Sequence, residues 1–242
     1  MSKKSRYLVG TSGWQYDHWK KDFYPEGIAK KDWLNFYAQE FSTVEVNGTF
    51  YGPVKRKTFK AWYSSVPCDF KFSLKGSRWI THMKKLKGVK SEVKKFYKLA
   101  EPLKHKLGCV LWQLPPMLKK DLQRLGSFCD FLDNRRNNAI EFRHKSWFDD
   151  ETYDLLRDSG VSLCSISAPG LPDTLERTSD TAYVRFHGKG RMYAGAYTDS
   201  DLKRWSEKLK RLRTKRVFCY FNNDLRANAV KDAKKLRGEL DA

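Results

Sequence analysis

The chain has 242 residues, the length of one α/β barrel or of two small domains, and its 40% hydrophobic and 14% aromatic content supplies enough apolar surface for a core, which excludes disorder as the main state. No run of eighteen apolar residues is present and the N-terminal MSKKSRYLVGTSGW lacks an apolar leader segment, so neither a membrane span nor a secretory signal is expected and a cytoplasmic location is predicted. Forty-eight Lys and Arg against twenty-eight Asp and Glu give a net charge of +20, an excess that repels itself and suits a polyanionic partner.

Strand and helix signals alternate along the chain. Residues 7–14 (YLVGTSGW) form an apolar run ending in a glycine turn, and residues 30–40 carry Trp33, Phe36 and Tyr37 at helical spacing. Residues 43–50 (TVEVNGTF) alternate with β-branched side chains and predict a strand, followed by a basic helix over 55–65. A short strand over 71–75 leads into a long basic loop and helix between 76 and 105. The apolar strand 108–114 (GCVLWQL) is stopped by Pro115 and Pro116, and a helix follows over 120–134. The alternation then repeats: strand 138–144, helix 149–159 ended by Gly160, strand 161–168, strand 181–187, helix 200–213, strand 216–223 and helix 224–240.

Eight strands, nearly all separated by helices, predict a parallel sheet closed as a (β/α)8 TIM-type barrel, one domain over residues 1–242. The helix after the sixth strand is expected to be reduced or absent, because Pro169, Gly170 and Pro172 break that segment. An open doubly wound sheet is the rival, and it is weakened because no glycine-rich phosphate loop follows the first strand.

Polar side chains at the carboxyl ends of barrel strands converge on one mouth. The candidates in chain order are Trp14, Glu45 and Asn47, Lys75 with Arg78 and His82 beyond it, Gln113, Glu141, Arg143 and Trp147, Arg185 and His187, and Asn222 and Asn223. A charged residue inside an apolar strand is costly to bury without a partner, and Glu45, Glu141, Arg143 and Arg185 all occupy such positions. The plain reading is that they pair to tie the barrel together. The functional reading is a shared pocket: strand alternation puts Glu141 with Arg143 on one face, and Arg185 with His187.

Aromatic residues near these ends, including Trp14, Trp147, Tyr193 and Tyr197, fit either core packing or stacking platforms, and the glycine-rich setting of Tyr193 and Tyr197 (GKGRMYAGAY) favours ligand contact. Arg78, His82, Lys84, Lys85 and Lys87 follow the third strand and should overhang the mouth as a funnel for phosphates. Glu45, Glu141 and His187 form a conceivable carboxylate–histidine metal set, but the neighbouring arginines argue against a cation, so no metal is expected and no cofactor is indicated. The five cysteines are widely spaced with no CxxC pair; Cys109, Cys164 and Cys219, in apolar strand runs, read as reduced core residues.

Seven segments in order, GTSGW (10–14), TVEVNGTFY (43–51), FSLKGSRWITH (72–82), LWQLPP (111–116), EFRHKSW (141–147), YVRFHG (183–188) and YFNND (220–224), resemble the YecE-like family, domain of unknown function seventy-two. The resemblance spans nearly the whole chain and implies a TIM-type barrel with a pocket at the carboxyl ends of the strands. The chain departs from it at NNDLRANA (222–229), where Leu225 and Arg226 stand in place of a small residue and a histidine.

The leading functional expectation is a nucleic-acid-binding barrel that favours single strands; whether it is an enzyme is left open, and if it is one, phosphodiester hydrolysis is the expected reaction. Arg78, Arg143 and Arg185 would hold phosphate, Trp14, Tyr193 and Tyr197 would stack bases, Glu45 or Glu141 would act as base and His187 as acid. A small-molecule enzyme acting on a phosphorylated or carboxylated metabolite is the alternative, and a non-catalytic anion-binding module a third.

Overall fold

The computed structural model describes residues 6–190 and 192–242. In chain order the elements are β1 (Tyr7–Thr11), α1 (Trp33–Glu40), β2 (Thr43–Val46), the single turn α2 (Gly48–Tyr51), α3 (Arg56–Ser64), β3 (Lys71–Lys75), α4 (Lys90–Ala100), β4 (Leu107–Gln113), α5 (Leu122–Cys129), β5 (Asn138–Glu141), α6 (Asp150–Asp158), β6 (Ser162–Ser167), β7 (Thr181–Phe186), α7 (Asp199–Arg211), β8 (Arg216–Phe221) and α8 (Asn228–Asp241). All strand pairs are parallel in the order β1-β8-β7-β6-β5-β4-β3-β2, which is a TIM-type barrel.

The seam lies between β1 and β2. A parallel bridge joins Ser12 to Glu45, and the Tyr37 hydroxyl on α1 accepts from Thr11 N at 2.9 Å and donates to the Thr43 carbonyl at 3.1 Å. Gly10 makes this approach possible, since a Cβ there would lie 2.2 Å from the Thr43 carbonyl oxygen. Gly10→Ala should therefore push the seam apart and destabilise the fold by about 1–3 kcal/mol, read as a lower urea midpoint.

Sequence explains the helices locally. Asp121 and Asp149 accept hydrogen bonds from the first-turn amides of α5 and α6, and Thr198 with Asp201 forms a capping box on α7. No helix follows β6. Residues 168–180 instead form an irregular strap whose Thr178 hydroxyl accepts from Leu163 N and donates to the Val161 carbonyl, both at 2.7 Å.

Packing divides into an outer shell and a lumen. One outer cluster sets α1, α3, α7 and α8 against the strands on either side of the seam, and the other sets α4, α5 and α6 against β4–β6. Inside the barrel, Cys109, Leu111, Ala139, Cys164, Ile166, Tyr183, Phe218 and Tyr220 pack together. Cys109, Cys164 and Cys219 are buried free thiols.

Near the mouth β1, β5 and β8 end two or three residues before the expected strands do, at Thr11, Glu141 and Phe221, and two further boundaries differ. The second strand stops at Val46 rather than running to residue 50, because the Thr49 hydroxyl donates to the Val46 and Lys75 carbonyls and turns the chain into α2. The last helix starts at Asn228, after a tight turn in which Arg226 and Ala227 take positive φ.

Candidate functional site

Strand alternation sends Tyr183, Arg185 and His187 to the same side of β7 and its extension. There Arg185 bridges two strands on the other side of the lumen: one terminal nitrogen donates to Glu141 Oε2 at 2.6 Å and the other to Glu45 Oε1 at 2.7 Å. The Tyr183 hydroxyl donates to Glu45 Oε2 at 2.7 Å, and Gln113 donates to Glu141 Oε1 at 2.8 Å. Arg143 pairs with the same Glu141 oxygen through Nε and donates from a terminal nitrogen to His187 Nε2 at 3.1 Å. Glu45, Glu141, Arg185 and His187 are all fully buried, or within one per cent of it.

The charges hold one another in place. Burial pushes the Glu141 carboxyl up, but the guanidinium groups of Arg143 and Arg185 overcome this and keep it well below the usual carboxylate range. Burial, then the charges of Arg185 and Arg143, hold His187 neutral, well below its ordinary range. A guanidinium can only donate, so His187 Nε2 accepts and its proton sits on Nδ1, 3.3 Å from the Asn222 side-chain amide, which satisfies it when the amide oxygen faces the ring. Each carboxylate oxygen of Glu45 and Glu141 already accepts a hydrogen bond. This suits holding a fixed charge pattern better than taking up a proton. The carboxylate–histidine metal set weighed from the sequence is not assembled, since Arg185 lies between the two carboxylates.

Lys75 caps this network on the side of β3. Its ammonium stands 4.1 Å over the Phe50 ring supplied by α2, and among the described residues no carboxylate reaches ion-pair distance. Burial, then the nearby Arg185, brings its pKa down from 10.5 to about 8. His82 lies edge-on to the same Phe50 ring, in a π-helical turn over Trp79–Met83; burial and then the charges of Lys75 and Arg78 lower its pKa to about 4. Three buried or half-buried cations (Lys75, Arg143, Arg185) face two carboxylates (Glu45, Glu141), leaving one positive charge in surplus.

Around the mouth, a cavity of about 440 Å³ is bounded by Trp14, Tyr16, Asn47, Gly48 and Trp62. Asn47 Oδ1 and Ser12 Oγ are buried beside it without a hydrogen-bond partner. Arg78 is exposed at the start of the π-helical turn. Tyr193 is exposed, with positive φ; its N–H donates to the His187 carbonyl at 2.6 Å and its ring stands edge-on to His187.

Three sequence candidates lie away from the mouth. Trp147 stacks on Phe142 with 4.6 Å between centroids and donates to the Leu118 carbonyl at 2.7 Å, so its ring belongs to the outer core. Tyr197 is buried against Phe186, with its hydroxyl against Ser167 and the Gly188 N–H. Asn223 points to α8 and donates to Asp232 at 2.7 Å; Asn222 and Asn223 are consecutive, so one strand cannot aim both inward. Tyr183 and Phe50, both in contact with the charged network, were not among the sequence's site residues. Tyr183 was legible, two positions before Arg185. Phe50 was legible as an aromatic near the end of the second strand, fit for core packing or stacking, but not as the ring under Lys75, because the turn that carries it read as strand.

The chain matches the family described as Protein of unknown function DUF72 over residues 8–242. It is 27% identical over 268 residues to the UPF0759 protein YunF of Bacillus subtilis (strain 168), covering 96% of this chain and 94% of that protein. It also resembles the crystal structure of a DUF72 family protein from Thermotoga maritima MSB8, with TM-score 0.89, 30% identity, and 98% and 99% of the two chains covered. A DUF72 family protein from Enterococcus faecalis V583 shares the fold at TM-score 0.84 and 18% identity, over 98% of this chain and 96% of that one. The match across almost the whole chain, together with the barrel fold shared with a family structure, makes this protein a member of the DUF72 family.

Proposed function

We propose that the mouth of this barrel binds single-stranded nucleic acid and draws a phosphate toward Arg143 and Lys75. The observation that carries this reading is the placement of exposed apolar side chains. Among the described residues, every large exposed hydrophobic one (Tyr51, Trp79, Met83, Met117, Tyr193, Leu225) lies on a loop leaving the carboxyl end of a strand. Three of the six are aromatic. Exposed cations share these loops, including Arg78, Lys84, Lys85, Lys87, Lys119 and Arg226. Lys84 itself lies 5.3 Å from the Trp79 ring. Exposed rings among cations suit bases and phosphates together. Cleavage is not part of the proposal, because the carboxyl groups nearest the pocket are hydrogen-bonded and Glu141 is a weak base.

Titration of labelled single strands against salt tests it. Binding with little sequence preference is expected, and Lys84, Lys85 and Lys87 changed together to Ala should flatten the log–log salt slope by about 2, at roughly 0.7 per lost contact. Trp79→Ala and Tyr193→Ala should each weaken binding by about 1–3 kcal/mol. Absence of binding to any strand or duplex at low salt would reject the reading. A small-molecule enzyme for a phosphorylated or carboxylated metabolite would then lead, favoured by the cavity beside Asn47, whose volume suits such a ligand.

A further inference from the structure

We infer that Lys75 is a carbonyl-capturing amine, which condenses with an aldehyde bearing an anionic group to form an imine at the barrel mouth. Such a ligand is a different chemical class from a nucleic-acid strand, and Lys75 would take it whether or not a strand crosses the rim.

Two lysines are buried among the described residues, and they differ in how the amine is used. Lys106 Nζ donates to the carbonyls of Tyr63 and Val66 at 2.6 and 2.7 Å, an anchoring role. Lys75 Nζ has the face of Phe50 as its neighbour and no acceptor, although the residue is only 8% exposed. An ammonium enclosed in this way, beside Arg185 and Arg143, is destabilised relative to the neutral amine, the condition that makes a lysine nucleophilic. His82, held neutral beside the same ring, adds no further positive charge next to the amine, and solvent takes up the proton that the amine sheds. Arg143 uses Nε and one terminal nitrogen on Glu141 and His187, which leaves its other terminal nitrogen for a ligand anion.

The step balances without a redox partner. The neutral Lys75 nitrogen attacks the carbonyl carbon, a C–N bond forms, and the π pair moves to oxygen, which takes a proton. The resulting hydroxyl leaves as water while nitrogen loses its remaining proton, so amine plus aldehyde gives imine plus water.

The test treats the full chain with limiting glyoxylate, or with propanal, in sodium cyanoborohydride, which delivers hydride to the imine carbon and leaves a stable secondary amine. Peptide mass spectrometry then maps the adducts. With glyoxylate, Lys75 should be modified about tenfold faster than Lys84, Lys85 or Lys87, and about tenfold faster than with propanal. Its rate should rise with pH and level off above about 8. Arg143→Gln should bring the ratio of glyoxylate to propanal labelling at Lys75 down to the ratio shown by the surface lysines, whatever its effect on the absolute rates. Lys75→Arg should abolish the fast adduct while circular dichroism stays native. Labelling of Lys75 no faster than that of the surface lysines overturns the inference, and equal rates with both aldehydes overturn its anionic part. Because the adduct is mapped on the natural chain, the result stands even where a variant fails to fold.

Discussion

Replacing Arg185 by Met should lower the stability of the barrel by about 3–5 kcal/mol, the cost of stranding buried charges when one partner of an ion pair is removed. Among the described residues Arg185 is the sole strong donor to Glu45 Oε1 and to Glu141 Oε2, and both carboxylates are fully buried in the lumen. After the substitution Glu45 keeps only Tyr183, and Glu141 keeps Gln113 and Arg143. In the natural protein the folded-state pKa of Glu141 lies below its ordinary 4.5, so its contribution is full above that value and is lost as pH falls through the folded-state pKa. In the variant Glu141 loses one of the two guanidinium groups that hold its pKa down, so less of that stabilisation is present above 4.5 and less is lost on acidification. The deficit should therefore be largest at neutral pH and narrow on acidification. Urea unfolding of both proteins from neutral pH down to about pH 3, through the window below 4.5, measures it. Adding Glu45→Gln should recover part of the loss, because the amide carries no charge to strand. A deficit that stays constant across this range would show that packing, and not charge, sets the cost.

Lys75→Met should act in the opposite direction and stabilise the protein at pH 7 by about 1–3 kcal/mol, the scale of a shift from 10.5 to about 8 discounted for residual solvent contact. Below about 8 the amine is charged both folded and unfolded, and the folded state bears the cost of burying it beside Arg185 and Arg143. Between about 8 and 10.5 the folded state holds fewer protons than the unfolded one, so the stability of the natural protein rises with pH. The favourable contribution is fully present above about 10.5 and lost as pH falls through about 8. The advantage of the Met variant should shrink over that window. Thermal or urea unfolding at pH 7 and near pH 10 gives both numbers, and an advantage independent of pH would mean that Met merely packs better on Phe50. A residue that costs stability where it stands is most simply retained for chemistry, so this measurement bears on the imine inference through a different property.

The two substitutions separate the parts of the site. Arg185 holds two carboxylates, from β2 and β5, across the lumen and fixes the floor of the mouth, while Lys75 is an uncompensated charge on its wall. The first is structural machinery that sets the electrostatic field, and the second is the group on which a ligand would act.

Much of this was legible along the chain. Alternating periodicity separated by helical runs gave all eight strands, and Pro169, Gly170 and Pro172 located the missing helix after β6, because local backbone restriction needs no tertiary partner. Charged residues inside apolar strands marked Glu45, Glu141, Arg143 and Arg185 as an interacting set, since a buried charge needs a partner wherever the fold puts it. What the sequence left open were orientation and neighbours across strands. Trp147 and Tyr197 sit close in sequence to mouth residues yet pack outward, and Asn223 faces α8 while Asn222 faces His187. Phe50 came under Lys75 only because Thr49 bonds to carbonyls on two strands and turns the chain there. Such contacts arise from closure of the barrel at Gly10 and Thr43, which fixes the stagger of all eight strands at once. The face a strand residue shows depends on that stagger, whereas its tendency to be a strand depends on its own neighbours along the chain.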